Sequence, residues 1–376
     1  MTTTPEPKSS HYGTPLSLPD PFTAGKALTP SCLPLQHVIN GIQNAASGAD
    51  RWQRSEDRPP FFTGTSEAGS TIVEYNNTTM SIEQLWAHVQ QFSDLDGDVL
   101  LAVFAQLLTS PMENDRRGTW IYASNILEYR GLTPRMQADT PGGPKRRAGH
   151  RYEDLNDIAR SIERISDLWV TIQQIIKEDA EPEQGKRRRR KPKKREYTQR
   201  SRVVNLESMW YQRELTDDIN EPVLTKPIYQ TPIGWYIRAG KWLEPFLENR
   251  QVAWICKQAL EYDPHNEMWE KRLARYFFFH FRMNASAGSF HREIGKLLQA
   301  LSLPIDKRFP ERNTKQRFEK ALNRLTKDRQ IDGWEYTEEI DLQSRGWLPT
   351  WLQQKVRIYI APYRSLKVVE NQEKLS

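Results

Sequence analysis

The chain has 376 residues, of which 37% are hydrophobic and 27% charged, with a formal net charge of +6. That length predicts two domains with tails. No apolar stretch approaches the ~20 residues that a transmembrane helix needs. The opening MTTTPEPKSS lacks a basic segment followed by an apolar one, which argues against a signal peptide. Cys32 and Cys256 are the only cysteines. Two so far apart supply neither a disulfide framework nor a zinc knuckle, and they point to a reducing cytosol.

Residues 1–75 are rich in Pro, Ser, Thr and Gly and show little periodicity, so they are predicted to be a disordered tail. A short apolar patch at 33–42 could dock on a partner. Order is expected from Met80. SIEQLWAHVQQF has Ser81 as N-cap and Leu85, Val89 and Phe92 at helical spacing. A second helix runs from Ser93 through DLDGDVLLAVFAQLL, its acidic first turn complementing the helix dipole. TWIY then reads as a short strand, and Ser124 caps a short helix that Gly131 ends. After a basic loop comes a helix over 152–166, with Leu155, Ile158, Ala159, Ile162 and Ile165 in one stripe. Segments 168–176 (LWVTIQQII) and 203–210 (VVNLESMW) read as two antiparallel strands.

Between those strands lies KRRRRKPKKR, residues 186–195, with nine basic side chains in ten positions. Without it the rest of the chain carries a net −3 against the +6 of the whole. So dense a charge cannot be buried, and its natural counterion is a polyanion. A solvated linker or a localisation signal is the plainer alternative. Helices beside a hairpin with a basic tip at 185–200 describe a winged helix, here spanning 76–240, whose wing touches DNA backbone.

A second copy is expected over 241–362, followed by a tail at 363–376. PIGWYIRAGKW (232–242) is a strand, and helices are expected near 250–262, 267–283 and 289–301. IGKLLQALSLPID reads as the first helix and turn of a helix-turn-helix. A long helix follows over 309–328, with Phe318, Ala321, Leu322 and Leu325 facing inward. IDGWEYT and KVRIYIAP, where Val356, Ile358 and Ile360 alternate, form a second hairpin whose link contains a short helix. The fold class is therefore α+β, two tandem winged helices after a disordered tail.

No catalytic residues, metal ligands or cofactor are expected. No G-x-x-x-x-G-K-[ST] occurs, so there is no P-loop. The seven histidines show no H-x-H, H-x-x-H or H-x-x-x-H pairing, which argues against a histidine-paired nickase or zinc site. His280, inside YFFFHF, reads as a core or boundary residue. Asp94, Asp96 and Asp98 resemble the start of a calcium loop, but Gly97 falls at position four and Ala105 at position twelve, so a capped helix N-terminus is the better reading.

The nucleic-acid signals are stronger. In the 309–328 helix, Arg312, Asn313, Lys315, Gln316 and Lys320 are candidate base readers, with Glu319 and Asn323 on the same face and Lys307 and Arg308 ahead of it. Arg and Lys suit guanine or phosphate, while Gln and Asn suit adenine. An ordinary solvated face is the alternative. In the first module, Glu153, Asp154 and Asp157 open the equivalent helix and would repel phosphate. Its backbone grip is assigned to Lys145, Arg146, Arg147, His150 and Arg151, and to Lys186, Arg187, Arg188, Arg189, Arg190, Lys191, Lys193, Lys194 and Arg195 in the wing. Phosphate contacts position without specifying, so the second module is the candidate reader.

IYASNILEYRGL, a basic Gly-containing segment, and a helix ending in ISDLWV together resemble the first winged helix of bacterial plasmid replication initiators. IGKLLQALSLPID with RFEKALNRLTKDRQIDGWEY resembles the second. The resemblance covers about 80–362. It implies a cytoplasmic, nucleoid-associated bacterial protein that binds repeated double-stranded DNA sites at an origin. It also implies local duplex opening, contact with host replication factors, dimerisation through the first module, and no membrane or enzymatic role. The alternative is a winged-helix transcriptional regulator or a DNA-targeting subunit of a mobile element.

Overall fold

The structure, a computed structural model, describes residues 26–66, 69–110, 112–113, 116–138, 145–178, 193–211, 232–249, 251–284, 286–338 and 346–360. Residues 26–75 overturn the expectation of a disordered tail. They form β1 (Lys26–Pro30), α1 (Leu33–Ala46), β2 (Trp52–Gln53), β3 (Phe61–Ser66) and β4 (Gly69–Tyr75). Leu35, Val38, Ile39 and Ile42 recur at i, i+3, i+4 and i+7, one helical face, and none is more than 1% exposed. The surrounding Pro, Ser and Thr mask that short periodic run. The rest of the predicted tail, residues 1–25, lies outside the described residues.

The next elements are α2 (Ile82–Val89), α3 (Asp94–Leu108), β5 (Met112–Glu113), β6 (Arg116–Tyr122) and α4 (Ala123–Tyr129). Ser81 closes α2 with a capping box: its Oγ accepts from the Gln84 N–H at 3.3 Å and its own N–H donates to Gln84 Oε1 at 2.8 Å. α3 is apolar nearly all round, the pattern of a helix buried on every side, and Val99 through Ala105 are fully buried. Ser124 lies inside α4 instead of capping it, because β6 runs directly into the helix at Tyr122. Gly131 ends α4 as expected, at φ +81°.

The predicted basic loop is a hairpin of β7 (Arg135–Ala138) and β8 (Lys145–Gly149). α5 (Tyr152–Ser166) matches the predicted helix, with Ile158, Ala159, Ile162 and Ile165 buried and Leu155 half-buried. β9 (Leu168–Glu178), β10 (Lys193–Arg202), β11 (Val204–Tyr211) and β12 (Pro232–Ala239) follow. Here the strand pairing differs from expectation. β9 pairs with β10, Trp169 opposite Arg202, while β11 pairs with β12, Val204 opposite Ala239. The basic run therefore joins two strands of the antiparallel sheet β10-β9-β4-β3-β2, whose inner face covers α1. It does not tip the hairpin of the sheet β11-β12-β6-β5. The polar sequence of β10 carries no apolar alternation, which is why its strand character was illegible.

The chain continues through α6 (Glu244–Glu248), β13 (Val252–Cys256), α7 (Gln258–Glu261), α8 (Met268–Asn284), β14 (Ser289–Glu293) and α9 (Ile294–Ala300). A π-helical turn (Glu311–Lys315) leads into α10 (Gln316–Lys327), then β15 (Gly333–Tyr336), α11 (Trp347–Gln353) and β16 (Lys355–Tyr359). The helix expected near 250–262 is instead a strand and one helical turn. β13 pairs with β1, Leu28 opposite Trp254, a partner no local signal could reveal. Likewise 289–301 is a strand followed by a helix. The hairpin of β15 and β16, with the short helix α11 in its link, is as expected.

Two units share one connectivity. In the first, α3, β6, α4, α5, β11 and β12 surround a sheet in which β12 lies between β11 and β6. In the second, α8, β14, α9, α10, β15 and β16 surround a sheet in which β16 lies between β15 and β14. In both, the first strand runs straight into the second helix. The second helix also ends alike. Gly131 N–H donates to Glu128 O at 3.0 Å and Leu132 N–H to Leu127 O at 2.9 Å; Ser302 N–H donates to Gln299 O at 3.1 Å and Leu303 N–H to Leu298 O at 2.9 Å. Ser302 takes φ +50° where the first unit uses Gly131, a left-handed cap glycine fills at less cost.

The acidic DLDGD segment does more than cap α3. Its Asp94 and Asp98 are buried against α8 of the second unit. Arg272 Nη2 lies 2.7 Å from Asp94 Oδ2, Arg275 Nη1 3.1 Å from Asp94 Oδ1, and Lys271 Nζ 2.7 Å from Asp98 Oδ2; Arg275 also donates to Asp98 Oδ1. Arg130 adds an ion pair to Asp98 at 3.3 Å. Burial by itself pushes the Asp98 carboxyl up, but Arg275, Lys271 and Arg130 together hold it below its ordinary value. A Cβ on Gly97 would sit 2.9 Å from Arg275 Nη1, so glycine lets the guanidinium approach α3. Asp96 turns the other way, accepting from Ser161 Oγ at 2.6 Å and Arg164 Nε at 2.9 Å on α5.

Two buried histidines set the acid limit of this core. Burial holds His37 down at about 4, with Arg51 adding to the effect. Burial holds His280 down at about 3, helped by Arg292, whose Nη2 donates to His280 Nδ1 at 2.9 Å. Tyr276 and Gln36 also face His280. Between these values and 6.5 the unfolded chain binds protons that the folded chain refuses. The stability that these two histidines contribute is thus complete above about pH 6.5 and falls on acidification, by at most ~1.4 kcal/mol per pH unit for each. Urea midpoints at several pH values between 7.5 and 5, above ordinary carboxylate titration, should show this fall, and His280→Gln should reduce it. Parallel profiles for the wild type and His280→Gln reject the assignment, because the carboxyls of Asp96 and Glu163, raised by burial, act with the opposite sign in both.

Candidate nucleic-acid interface

α10 owes its orientation to an apolar stripe. Phe318, Ala321, Leu322 and Leu325 are fully buried, and Arg317 clamps the helix to α8 through Glu270, with Nη1 to Oε1 at 2.7 Å and Nη2 to Oε2 at 2.6 Å. The opposite face is exposed. Arg312, Gln316 and Lys320 recur four residues apart along it, the spacing that aligns side chains on one helix face. No hydrogen bond or ion pair to these three side chains is found among the described residues.

The other two predicted base readers are occupied. Asn313 Nδ2 donates to Asp306 Oδ2 at 2.6 Å. The same Asp306 accepts from the N–H groups of Arg308 and Phe309 at 2.7 and 2.9 Å. Asn313 first, then these two backbone donors, hold the Asp306 carboxyl below its ordinary value. Lys315 Nζ lies 2.7 Å from Glu319 Oε1, its side chain 14% exposed. Asn323 accepts from Trp334 Nε1 at 3.0 Å. These residues shape the platform and leave Arg312, Gln316 and Lys320 to reach outward.

The turn before α10 adds a feature that the helical periodicity did not reveal. Lys307, Arg308 and Phe309 are exposed, Phe309 by 53%, and the Arg308 guanidinium lies 5.1 Å from the Phe309 ring centroid. The π-helical turn that follows is closed by Gln316 N–H donating to Glu311 O. Such turns recur at functional sites in helices. The signal was the sequence KRFPER itself, basic and aromatic ahead of a helix.

The first unit's candidates are placed differently. Lys145, Arg146 and Arg147 lie on β8, and Arg151 is the exposed N-cap of α5. Tyr152, Glu153 and Asp157 are exposed beside it, so α5 does present an acidic first turn. Lys193, Lys194 and Arg195 open β10. Lys186, Arg187, Arg188, Arg189, Arg190 and Lys191 lie outside the described residues. These groups sit on different elements from the α10 face.

A cleft between the units is lined by Asp94, Arg130, Arg164, His265 and Arg272. Arg130, Arg164 and Arg272 there already bond Asp98, Asp96 and Asp94, which makes the cleft the joint between the units. No helix among the described residues is long and apolar enough to cross a membrane.

No family model matches the chain, and no curated protein matches it. Among solved structures it is similar to domains 2 and 3 of RctB in a selenomethionine derivative, at 14% identity and a TM-score of 0.41, over 86% of this chain and 99% of that one. A second crystal structure of RctB domains 2–3 is similar at 14% identity and a TM-score of 0.37, over 80% of this chain and 90% of that one.

Proposed function

We propose that the chain is a sequence-specific double-stranded DNA-binding protein, built on two tandem winged helices, that acts as a plasmid-type replication initiator. It binds repeated sites at an origin, helps to open the duplex, and recruits host replication factors without catalysing a reaction itself. The observation that carries this reading is the exposed stripe of Arg312, Gln316 and Lys320, which runs from the π-helical turn onto α10. The stripe occupies the third helix of a unit ordered helix, strand, helix, helix, strand, strand with its last strand central in the sheet. A helix so placed, with long donors on its outer face and its other side locked into a core, fits the major groove.

The test is selection of binding sites from random DNA. Arg312→Ala and Gln316→Ala should each relax preference at particular base pairs, at ~1–3 kcal/mol against the preferred site. Asn313→Ala, whose side chain is spent on Asp306, should leave the selected motif unchanged. The same motif for wild type and both helix variants sinks the assignment of α10. A minimal replicon carrying the gene and its adjacent repeats should then be maintained. Failure to maintain it, with site binding intact, favours a transcriptional regulator instead.

A further inference from the structure

The sheet β10-β9-β4-β3-β2 packs on α1 through its inner face. Its inner face is apolar, with Phe62, Val73 and Val170 at most 1% exposed. Its outer face is cationic and aromatic. One row across it reads Phe61, Glu74, Trp169 and Arg202; the next reads Thr63, Ile72, Thr171 and Arg200. Arg58 reaches the same face from the segment before β3. Arg200 Nε donates to Glu74 Oε2 at 3.0 Å and Arg58 Nη2 to Glu74 Oε1 at 3.1 Å. Arg202 Nη1 donates to Ser166 O at 3.3 Å. The Arg200 and Arg202 guanidiniums lie 4.7 and 5.4 Å from the Trp169 ring, and Arg58 lies 3.7 Å from Phe61.

Two guanidiniums therefore share one carboxylate, and all three lie against aromatic rings. The Arg58 and Arg200 side chains remain 42% and 46% exposed. Stacking fixes the planes of the forks while leaving N–H groups free for further acceptors, which suits phosphate oxygens. The same strand, β10, opens at Lys193, Lys194 and Arg195, the last basic residues of the 186–195 run. We propose that this face is a phosphate-binding rail for duplex DNA, a second surface that grips backbone irrespective of sequence. It rests on the DNA-binding reading above but uses a surface that α10 does not.

The experiment uses the full chain and two duplexes, one random in sequence and one carrying the selected site, titrated by fluorescence anisotropy across a range of salt. The triple variant Arg58→Gln, Arg200→Gln, Arg202→Gln should flatten the slope of log K against log salt by ~0.9 for each phosphate no longer gripped. It should do so on both duplexes alike and leave the selected motif unchanged. Glu74→Gln should act oppositely, strengthening binding to both duplexes, because it releases two guanidiniums. Unfolding midpoints near wild type for both variants keep loss of fold out of the comparison. An unchanged slope in the folded triple variant overturns the rail while leaving the α10 reading intact. Binding of wild type to phosphatidylserine vesicles but to neither duplex overturns both.

Discussion

A chain that begins at residue 47, and so lacks β1 and α1, is expected to lose its cooperative folded state. Leu35, Val38, Ile39 and Ile42 are buried on α1. Each buried side chain of this kind contributes ~1.5–3 kcal/mol, so the four together rival the ~5–15 kcal/mol by which domains are ordinarily stable. β1 adds the strand that pairs with β13, and Ser31 N–H donates to Gln251 O at 2.7 Å. Trp52 also depends on α1, donating from Nε1 to Gly41 O at 2.8 Å. The single variant Ile39→Ala should cost ~2–5 kcal/mol by the cavity it leaves. Urea unfolding followed by tryptophan fluorescence measures both. A truncated chain that unfolds cooperatively at the wild-type midpoint contradicts the placement of α1 in the core.

What the sequence made legible follows from the range of the interactions. α5 and α10 were readable because their apolar stripes are local: Ile158, Ile162 and Ile165, or Phe318, Leu322 and Leu325, announce a buried face without knowledge of the partner. The β15 and β16 hairpin was readable from the alternation of Val356 and Ile358. α1 carried the same kind of signal and was missed only because its neighbours are rich in turn-forming residues. The rest was not local. β13 was misread because its partner, β1, lies in the segment taken as disordered. β10 is polar along its length, so pairing with β9 rather than β11 left no mark in composition. That choice moved the basic run from one sheet to another, and with it the element that carries the predicted phosphate contacts.

The candidate site divides in the same way. Arg312, Gln316 and Lys320 were identifiable because a helix face is periodic. Asn313 and Lys315 looked equivalent to them in sequence, but their partners, Asp306 and Glu319, decide what they do. The carboxylates of DLDGD looked like a helix cap, which they partly are: Ser93 N–H donates to Asp96 Oδ2 at 2.7 Å. Their larger role depends on cations in the first half of α8, ahead of its aromatic run YFFFHF. Lys271, Arg272 and Arg275 there are at most 1% exposed, and charges so deep in a core require partners of opposite sign.

Replacing Asp98 by alanine is therefore expected to be among the most damaging single changes in the molecule. Asp98 and Lys271 are both fully buried, and their ion pair joins α3 of one unit to α8 of the other. Without the carboxylate, Lys271 loses its ion pair, Arg275 must share Asp94 with Arg272, and Arg130 is left without its carboxylate partner. Breaking a buried pair by removing one partner costs ~3–5 kcal/mol, because the remaining charge stays desolvated. Removing both charges with shape retained is a different change. The double variant Asp98→Leu, Lys271→Met should recover much of that loss, since apolar packing can replace a buried pair at little cost. Arg272 and Arg275 keep the carboxylate of Asp94, which they meet at 2.7 and 3.1 Å in the wild type, so the joint keeps two ion pairs. Denaturant midpoints at pH 7.5 separate these cases. Equal midpoints for wild type and Asp98→Ala would show that the network does not hold the two units together. A double variant as unstable as Asp98→Ala would mean that Asp98 acts through its packing or its other hydrogen bonds, and that charge left unpaired beside α8 is not what destabilises the chain.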